Sequence, residues 1–283
     1  MSSAPIIMAP RSGSAESKGA LIMAHRAANR LGARIIVSHV SPAPVSPDVL
    51  KGEMGLSKED LAGCELEWLE GQDVAQALLR RAEELQPRAI ILGVAGGQEV
   101  SPITSAIISR SSWAVLVLRR EVEPLASEED HWAHRILVPL DAAPASAEAV
   151  TRAARIATRE GAQLDLLHIT GPGAKQPEEP GSLPVGYFVD RPHYDLKMWS
   201  IEFLNRFFHG MVPDTAGLTP ELHLAVGEVA DEIIAFAKEN RTDLIVMAWQ
   251  GVLEEGRAGV VRELLARAPC QLLFLVISGG QPA

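Results

Sequence analysis

Short apolar runs recur along the chain, and between them lie longer segments in which apolar residues return every three or four positions. Ile6-Ile7-Met8-Ala9 and Ile136-Leu137-Val138, bounded by proline and small residues, fit buried strands. Helix-length segments follow at Ala15–Leu31 and Ala145–Glu160, with Ser14 placed to cap the first. Gly32 and Gly161 come just after these helices, where glycine is favoured because it accepts φ > 0. Second strands are predicted at Arg34–Val40 and Gln163–Ile169, and third strands at Cys64–Leu69 and Glu221–Val226. Gly71 and Gly227 then open further helices. Leu78, Leu79, Ala82 and Leu85 share a face in one, and Ile233, Ile234 and Ala237 share a face in the other. Fourth strands at Ala89–Leu92 and Leu244–Met247 lead through a glycine-bearing loop and a short helix to last strands at Val115–Leu118 and Leu272–Val276.

The pattern is written twice. A shift of 129 residues sets Ile7 on Ile136, Pro10 on Pro139, Ser17 on Ser146, Arg26 on Arg155, Arg30 on Arg159, Gly32-Ala33 on Gly161-Ala162 and His39 on His168, without a gap. From Gly71 and Gly227 onward the offset is larger, so copy two has gained 27 residues between its second and third strands. Residues 121–134, with Glu123-Pro124, Ser127-Glu128-Glu129-Asp130 and no apolar period, read as a linker. The expected organisation is copy one over 1–120, the linker, and copy two over 135–283 with an insertion at about 171–215.

Strands that alternate with helices imply a parallel sheet covered on both faces. Right-handed crossovers leave few topologies, and the expectation is a doubly wound five-stranded sheet in each copy. Ligands of such sheets sit beyond the carboxyl ends of the strands, where the winding reverses.

Composition narrows the function. The 283 residues are 47% hydrophobic but only 5% aromatic, so the interior is aliphatic. A net charge of −10 lacks the basic footprint of a nucleic-acid binder. No run approaches 18 apolar residues, so no membrane span is expected. Met1–Pro5 carries no basic leader region, and the expected location is cytoplasmic. Cys64 and Cys270, one in each half, read as buried free thiols.

Several motifs carry a resemblance. Ile136-Leu137-Val138-Pro139-Leu140-Asp141 resembles the opening of universal stress protein domains, and Leu166-Leu167-His168-Ile169 resembles the end of their second strand. Gly227-Glu228-Val229-Ala230-Asp231-Glu232-Ile233-Ile234, continuing to Asp243-Leu244-Ile245-Val246-Met247, resembles their third helix and fourth strand, and Ala268-Pro269-Cys270 resembles their ending. The likeness covers nearly all of copy two outside its insertion, and copy one follows more loosely. It implies an α/β fold of two tandem five-stranded domains, of the universal stress protein and adenine nucleotide alpha hydrolase type, packed as a pseudo-dimer through their last strands. It also implies ATP as a candidate ligand, with Mg only as its companion.

In nucleotide-binding members an Asp after the first strand holds the nucleoside, and a Gly-x2-Gly-x9-Gly-Ser/Thr loop after the fourth strand wraps the phosphates. Glycines let backbone N–H groups approach an anion, and the following helix N-terminus favours negative charge. Asp141 matches the nucleoside Asp, with Pro139 and Ile169 beside it; copy one has Ser12 in that column. In copy two Ala248 replaces the first glycine, Gly251 fits the second, and Gly259-Val260 arrives early without the hydroxyl. Glu254 and Glu255 add negative charge where phosphates would lie. Copy one keeps Gly93 and Gly96 but lacks the rest. The candidate ligand-binding set is therefore Pro139, Asp141, Ile169, Ala248, Gly251 and Gly259 in copy two, and Gly93 and Gly96 in copy one.

Other features carry weaker chemistry. Ser12-Gly13-Ser14-Ala15-Glu16-Ser17 resembles the pyrophosphate loop of ATP pyrophosphatases but reads first as an ordinary strand-to-helix turn with Ser14 as N-cap. His131 and His134 lack a third metal ligand, and no metal site is expected. His39 and His168, at equivalent strand ends, suit packing or hydrogen bonding more than acid–base catalysis. In the insertion, Trp199, Phe203 and Phe207 are spaced to share a helical face, which fits cover for their own sheet or a contact with a partner. No catalytic triad, nucleophile elbow or paired catalytic carboxylates can be placed.

The first reading is a ligand-binding stress-response regulator with at most slow ATP hydrolysis. An interaction module with both sites lost, engaging a protein partner or a second copy, is the alternative. An ATP pyrophosphatase or adenylating enzyme is the third.

Overall fold

A computed structural model describes residues 4–11, 15–46, 48–49, 52, 62–94, 100–119, 132–140, 144–170, 218–249 and 259–276. Copy one comprises β1 (Ile6–Pro10), α1 (Ala15–Leu31), β2 (Arg34–Ser41), β3 (Cys64–Glu70), α2 (Val74–Leu85), β4 (Ala89–Val94), α3 (Pro102–Arg110) and β5 (Ala114–Arg119). Copy two comprises β6 (Arg135–Leu140), α4 (Pro144–Glu160), β7 (Gln163–Thr170), β8 (Glu221–Val226), α5 (Val229–Glu239), β9 (Leu244–Trp249), α6 (Gly259–Arg267) and β10 (Gln271–Val276).

The ten strands form one sheet in the order β3-β2-β1-β4-β5-β10-β9-β6-β7-β8. Pairing is parallel within each copy and antiparallel where β5 meets β10, with Leu272 opposite Val117 and Phe274 opposite Val115. The near-continuous apolar sequences of β5 and β10 are what a strand needs when both faces and both edges are covered. The pseudo-dimer expected through the last strands is thus a single continuous sheet. Because the junction is antiparallel, the carboxyl ends of the two copies open at opposite ends of that sheet.

Two apolar layers sandwich the sheet. Ala20, Leu21, Ala24 and Ala28 of α1 and Ala149, Val150, Ala153 and Ala157 of α4 fill one layer. Leu78 and Ala82 of α2, Ile107 and Ile108 of α3, Ile233 and Ile234 of α5 and Leu264 and Leu265 of α6 fill the other. The helix faces read from the sequence are the buried ones, except that Leu85 at the end of α2 is only partly covered. Gly32 and Gly161 end their helices at φ +60° and +63°, the left-handed conformation that a Cβ disfavours.

Boundaries differ from the sequence reading at two places that matter. β4 continues through Gly93 and Val94, and β9 continues through Ala248 and Trp249. Ladder partners on β5 and β10 extend both strands, since Val94 pairs with Arg119 and Trp249 with Val276. Neither Gly93 nor Ala248 therefore belongs to the loop that follows.

Candidate functional site: the carboxyl-end crevices

The winding reverses between β1 and β4 in copy one and between β6 and β9 in copy two. At both places the ladder stops early. β1 pairs with β2 over five positions but with β4 over only two, ending at Met8–Ile90. β6 pairs with β7 over six positions but with β9 over only two, ending at Leu137–Ile245.

The repeated proline explains the early stop. Ile6 accepts from Arg88 of the β4 side, whereas Pro5 accepts from Arg34 and Arg11 donates to Ser38 on the β2 side. Alternate residues face alternate neighbours, so Pro10 faces β4 and offers it no N–H. The same alternation holds in β6. Arg135 accepts from Asp243 on the β9 side and His134 accepts from Gln163 on the β7 side, which turns Pro139 towards β9. Each copy thus loses a rung on the side where the crevice opens.

A histidine closes the other side. His39 Nδ1 meets the Arg11 carbonyl at 3.1 Å, and His168 Nδ1 meets the Leu140 carbonyl at 3.3 Å. These are equivalent positions in the repeat. The histidines tie the end of the first strand to the second strand, the hydrogen-bonding role expected of them.

The candidate residues fall unevenly on this frame. Pro139 and Ile169 lie at the copy-two crevice, on the carboxyl halves of β6 and β7, and Ala248 lies on the facing strand β9. Gly259 is the first residue of α6, with open space where a Cβ would project. Gly93 is the penultimate residue of copy one's equivalent strand β4. Asp141, Gly96 and Gly251 lie outside the described residues, as do Ser12 to Ser14, Glu254, Glu255, His131 and the insertion aromatics Trp199, Phe203 and Phe207.

The two crevices also differ where phosphates would be cradled. In copy one, Ser101 Oγ already accepts the Ile103 N–H and Pro102 supplies none, so the first turn of α3 has few donors left for an anion. In copy one, Arg11, only 6% exposed, follows β1 directly at the position where copy two has Leu140.

Trp249, just past the predicted end of the fourth strand of copy two, proves structural. Trp249 is only 7% exposed, and its indole Nε1 donates to the Ile108 carbonyl of α3 at 2.7 Å. Its ring meets Phe274 edge-on at 6.2 Å. A large aromatic just past the predicted end of a strand was the available signal.

A second polar cluster lies away from the crevice, towards the amino ends of β6, β7 and β8. Asp165, fully buried, accepts from Arg135 Nε at 2.6 Å and Nη2 at 3.2 Å, and lies 3.0 Å from His223 Nε2. The hydrogen bond to Asp165 holds the Arg135 guanidinium above its ordinary value. Asp165, Glu221 and His223 have donor atoms within 4.8 Å of one another, close enough for a cation. Arg135 occupies both Asp165 oxygens, however, and a metal would have to displace it. The geometry is that of a paired buried charge. An aspartate inside the apolar run of β7 was its sequence signal.

The two thiols are less alike than expected. Cys270 is buried, but Cys64 is only half-buried, with Sγ 3.5 Å from His25 Nε2. Desolvation pushes Cys64 up to about 11 and Cys270 up to about 12, so neither is a thiolate near neutrality.

No helix among the described residues is long and apolar enough to cross a membrane. Comparison with known proteins follows the same architecture. The sequence pattern of the universal stress protein family matches residues 133–275. A universal stress protein from Archaeoglobus fulgidus is 16% identical, with a TM-score of 0.62 over 96% of this chain and 98% of its own. A putative universal stress protein from Pseudomonas aeruginosa is 12% identical, with a TM-score of 0.67 over 97% and 94%. At these identities the likeness is one of fold, and it spans both copies. No match is found among curated proteins.

Proposed function

The chain belongs to the universal stress protein family, and from that premise we propose that it binds an adenine nucleotide at the copy-two crevice and regulates a partner through it, without fast turnover. The observation that carries this reading is the opening between β6 and β9, where pairing ends at Leu137–Ile245 and Pro139 withholds the next donor. Asp141 follows β6 directly and is the carboxylate for the nucleoside. Gly251 and Gly259 are the positions at which backbone could approach phosphates. Magnesium would accompany the nucleotide rather than occupy a protein site of its own. Copy one is the poorer site, because Ser12 replaces the carboxylate and Ser101-Pro102 closes its helix. The proposed setting is the cytoplasm.

The test is mild denaturation of the purified protein and chromatography of what is released, with ATP titration of wild type and Asp141→Ala. Released adenine nucleotide, or binding lost in the variant, supports the reading. A clean protein that binds no ATP refutes it.

A second reading, a protein-interaction module without nucleotide, is favoured by one observation. Trp249 commits the end of β9 to copy one, and Ala248 beside it stands where the nucleotide-binding motif has its first glycine. Bound nucleotide after purification would remove that reading.

A further inference from the structure

Helices α3 and α6 are equivalent nine-residue helices, and Ile108 and Leu265 are the seventh residue of each. Both carbonyls fall in the last turn, where a helix leaves acceptors without internal donors. Each is reached by a side chain of the other copy. Trp249 Nε1 of copy two donates to Ile108 at 2.7 Å, and Arg119 Nη1 of copy one donates to Leu265 at 3.5 Å. The donors are not equivalent in the repeat, since Trp249 ends β9 and Arg119 ends β5. The arrangement is two-fold in its acceptors and asymmetric in its donors.

The asymmetry has a direction. Trp249 is the last residue before positions 250–258, and α6 begins immediately after them at Gly259. Copy one therefore holds the strand before them at its last residue, Trp249, and the helix after them at its last turn, through Arg119. In copy one, Val94 stands where copy two has Trp249, and among the described residues α3 is the element there that accepts a side-chain hydrogen bond from the other copy. Both donors are buried, Arg119 at 5% exposure, so these bonds are shielded from competing water.

We propose that Trp249–Ile108 and Arg119–Leu265 are two cross-copy latches, each fixing the last turn of a helix of one copy from the last residue of a strand of the other. The inference is independent of nucleotide binding, and its readout needs no ligand.

The test is amide hydrogen exchange on the full chain. In Trp249→Phe the ring still fills its site but donates nothing, and amides in the last turn of α3 exchange about fivefold faster, the cost of one net hydrogen bond. In Arg119→Met the longer latch is lost, and the last turn of α6 exchanges about twofold faster. Each effect appears in the copy that does not carry the substitution. Trp249→Leu, which lacks both donor and ring, repeats the α3 effect. Acceleration confined to the substituted copy, or unchanged α3 exchange in both Trp249 variants, overturns the proposal.

Discussion

Copy one and copy two anchor their edge strands with different polar side chains set on the same apolar frame. In copy one, Glu67 of β3 accepts from Ser38 of β2 at 2.7 Å and from Arg81 of α2 at 2.9 Å. In copy two the acid sits one strand further in, at Asp165 of β7, gripped by Arg135 of β6 and His223 of β8. His223 also packs against Phe236 of α5, with ring centroids 4.7 Å apart. The apolar positions repeat because burial needs only an aliphatic side chain on the correct face. A polar lock needs matched partners, and each copy has assembled its own.

The comparison breaks first at the seam. Trp249→Ala removes a buried ring and leaves the Ile108 carbonyl without its donor, for an expected loss of about 4 kcal/mol in chemical denaturation. Val94→Ala, at the equivalent position in copy one, costs about 1 kcal/mol. Equal losses would mean that the seam is not asymmetric.

The edge locks come next. Asp165→Ala leaves a guanidinium without its buried counter-charge and is expected to cost about 3 kcal/mol. Glu67→Ala, whose side chain keeps some contact with water, costs about 1–2 kcal/mol. Urea midpoints of the two variants rank the locks, and a larger loss for Glu67→Ala reverses the comparison.

The thiols separate the copies by pH. Both are raised above the ordinary 9.0, Cys64 to about 11 and Cys270 to about 12. The unfolded chain therefore releases these protons first, and stability falls as pH rises from 9 through 11–12. A Cys270→Ala chain should lose less stability across that interval than a Cys64→Ala chain. Identical alkaline denaturation profiles would count against the ranking. The smallest effect belongs to Arg34–Glu65, a well-formed but exposed pair at the β2–β3 edge. Arg34→Ala should shift the urea midpoint by less than about 1 kcal/mol equivalent.

The repeat, the strand and helix order, the two left-handed glycines and the helix faces were all legible in the sequence. They depend on apolar period and backbone conformation, which neighbouring residues set. The prolines at 10 and 139 were legible as motif residues, but their effect was not. Only the register shows that each faces the reversal of winding and removes a rung there. Trp249 likewise fell just past a predicted strand, and nothing in the local sequence pairs it with Ile108. Arg119 lies just past the predicted strand Val115–Leu118, and Asp165 lies inside the predicted strand Gln163–Ile169, with no local sign of a partner for either. The pairs that give these residues meaning lie 141, 146 and 30 positions apart. Local pattern determines which face a side chain takes, whereas a specific polar partner at that distance exists only once the two copies are joined through β5 and β10 and the strands are in register.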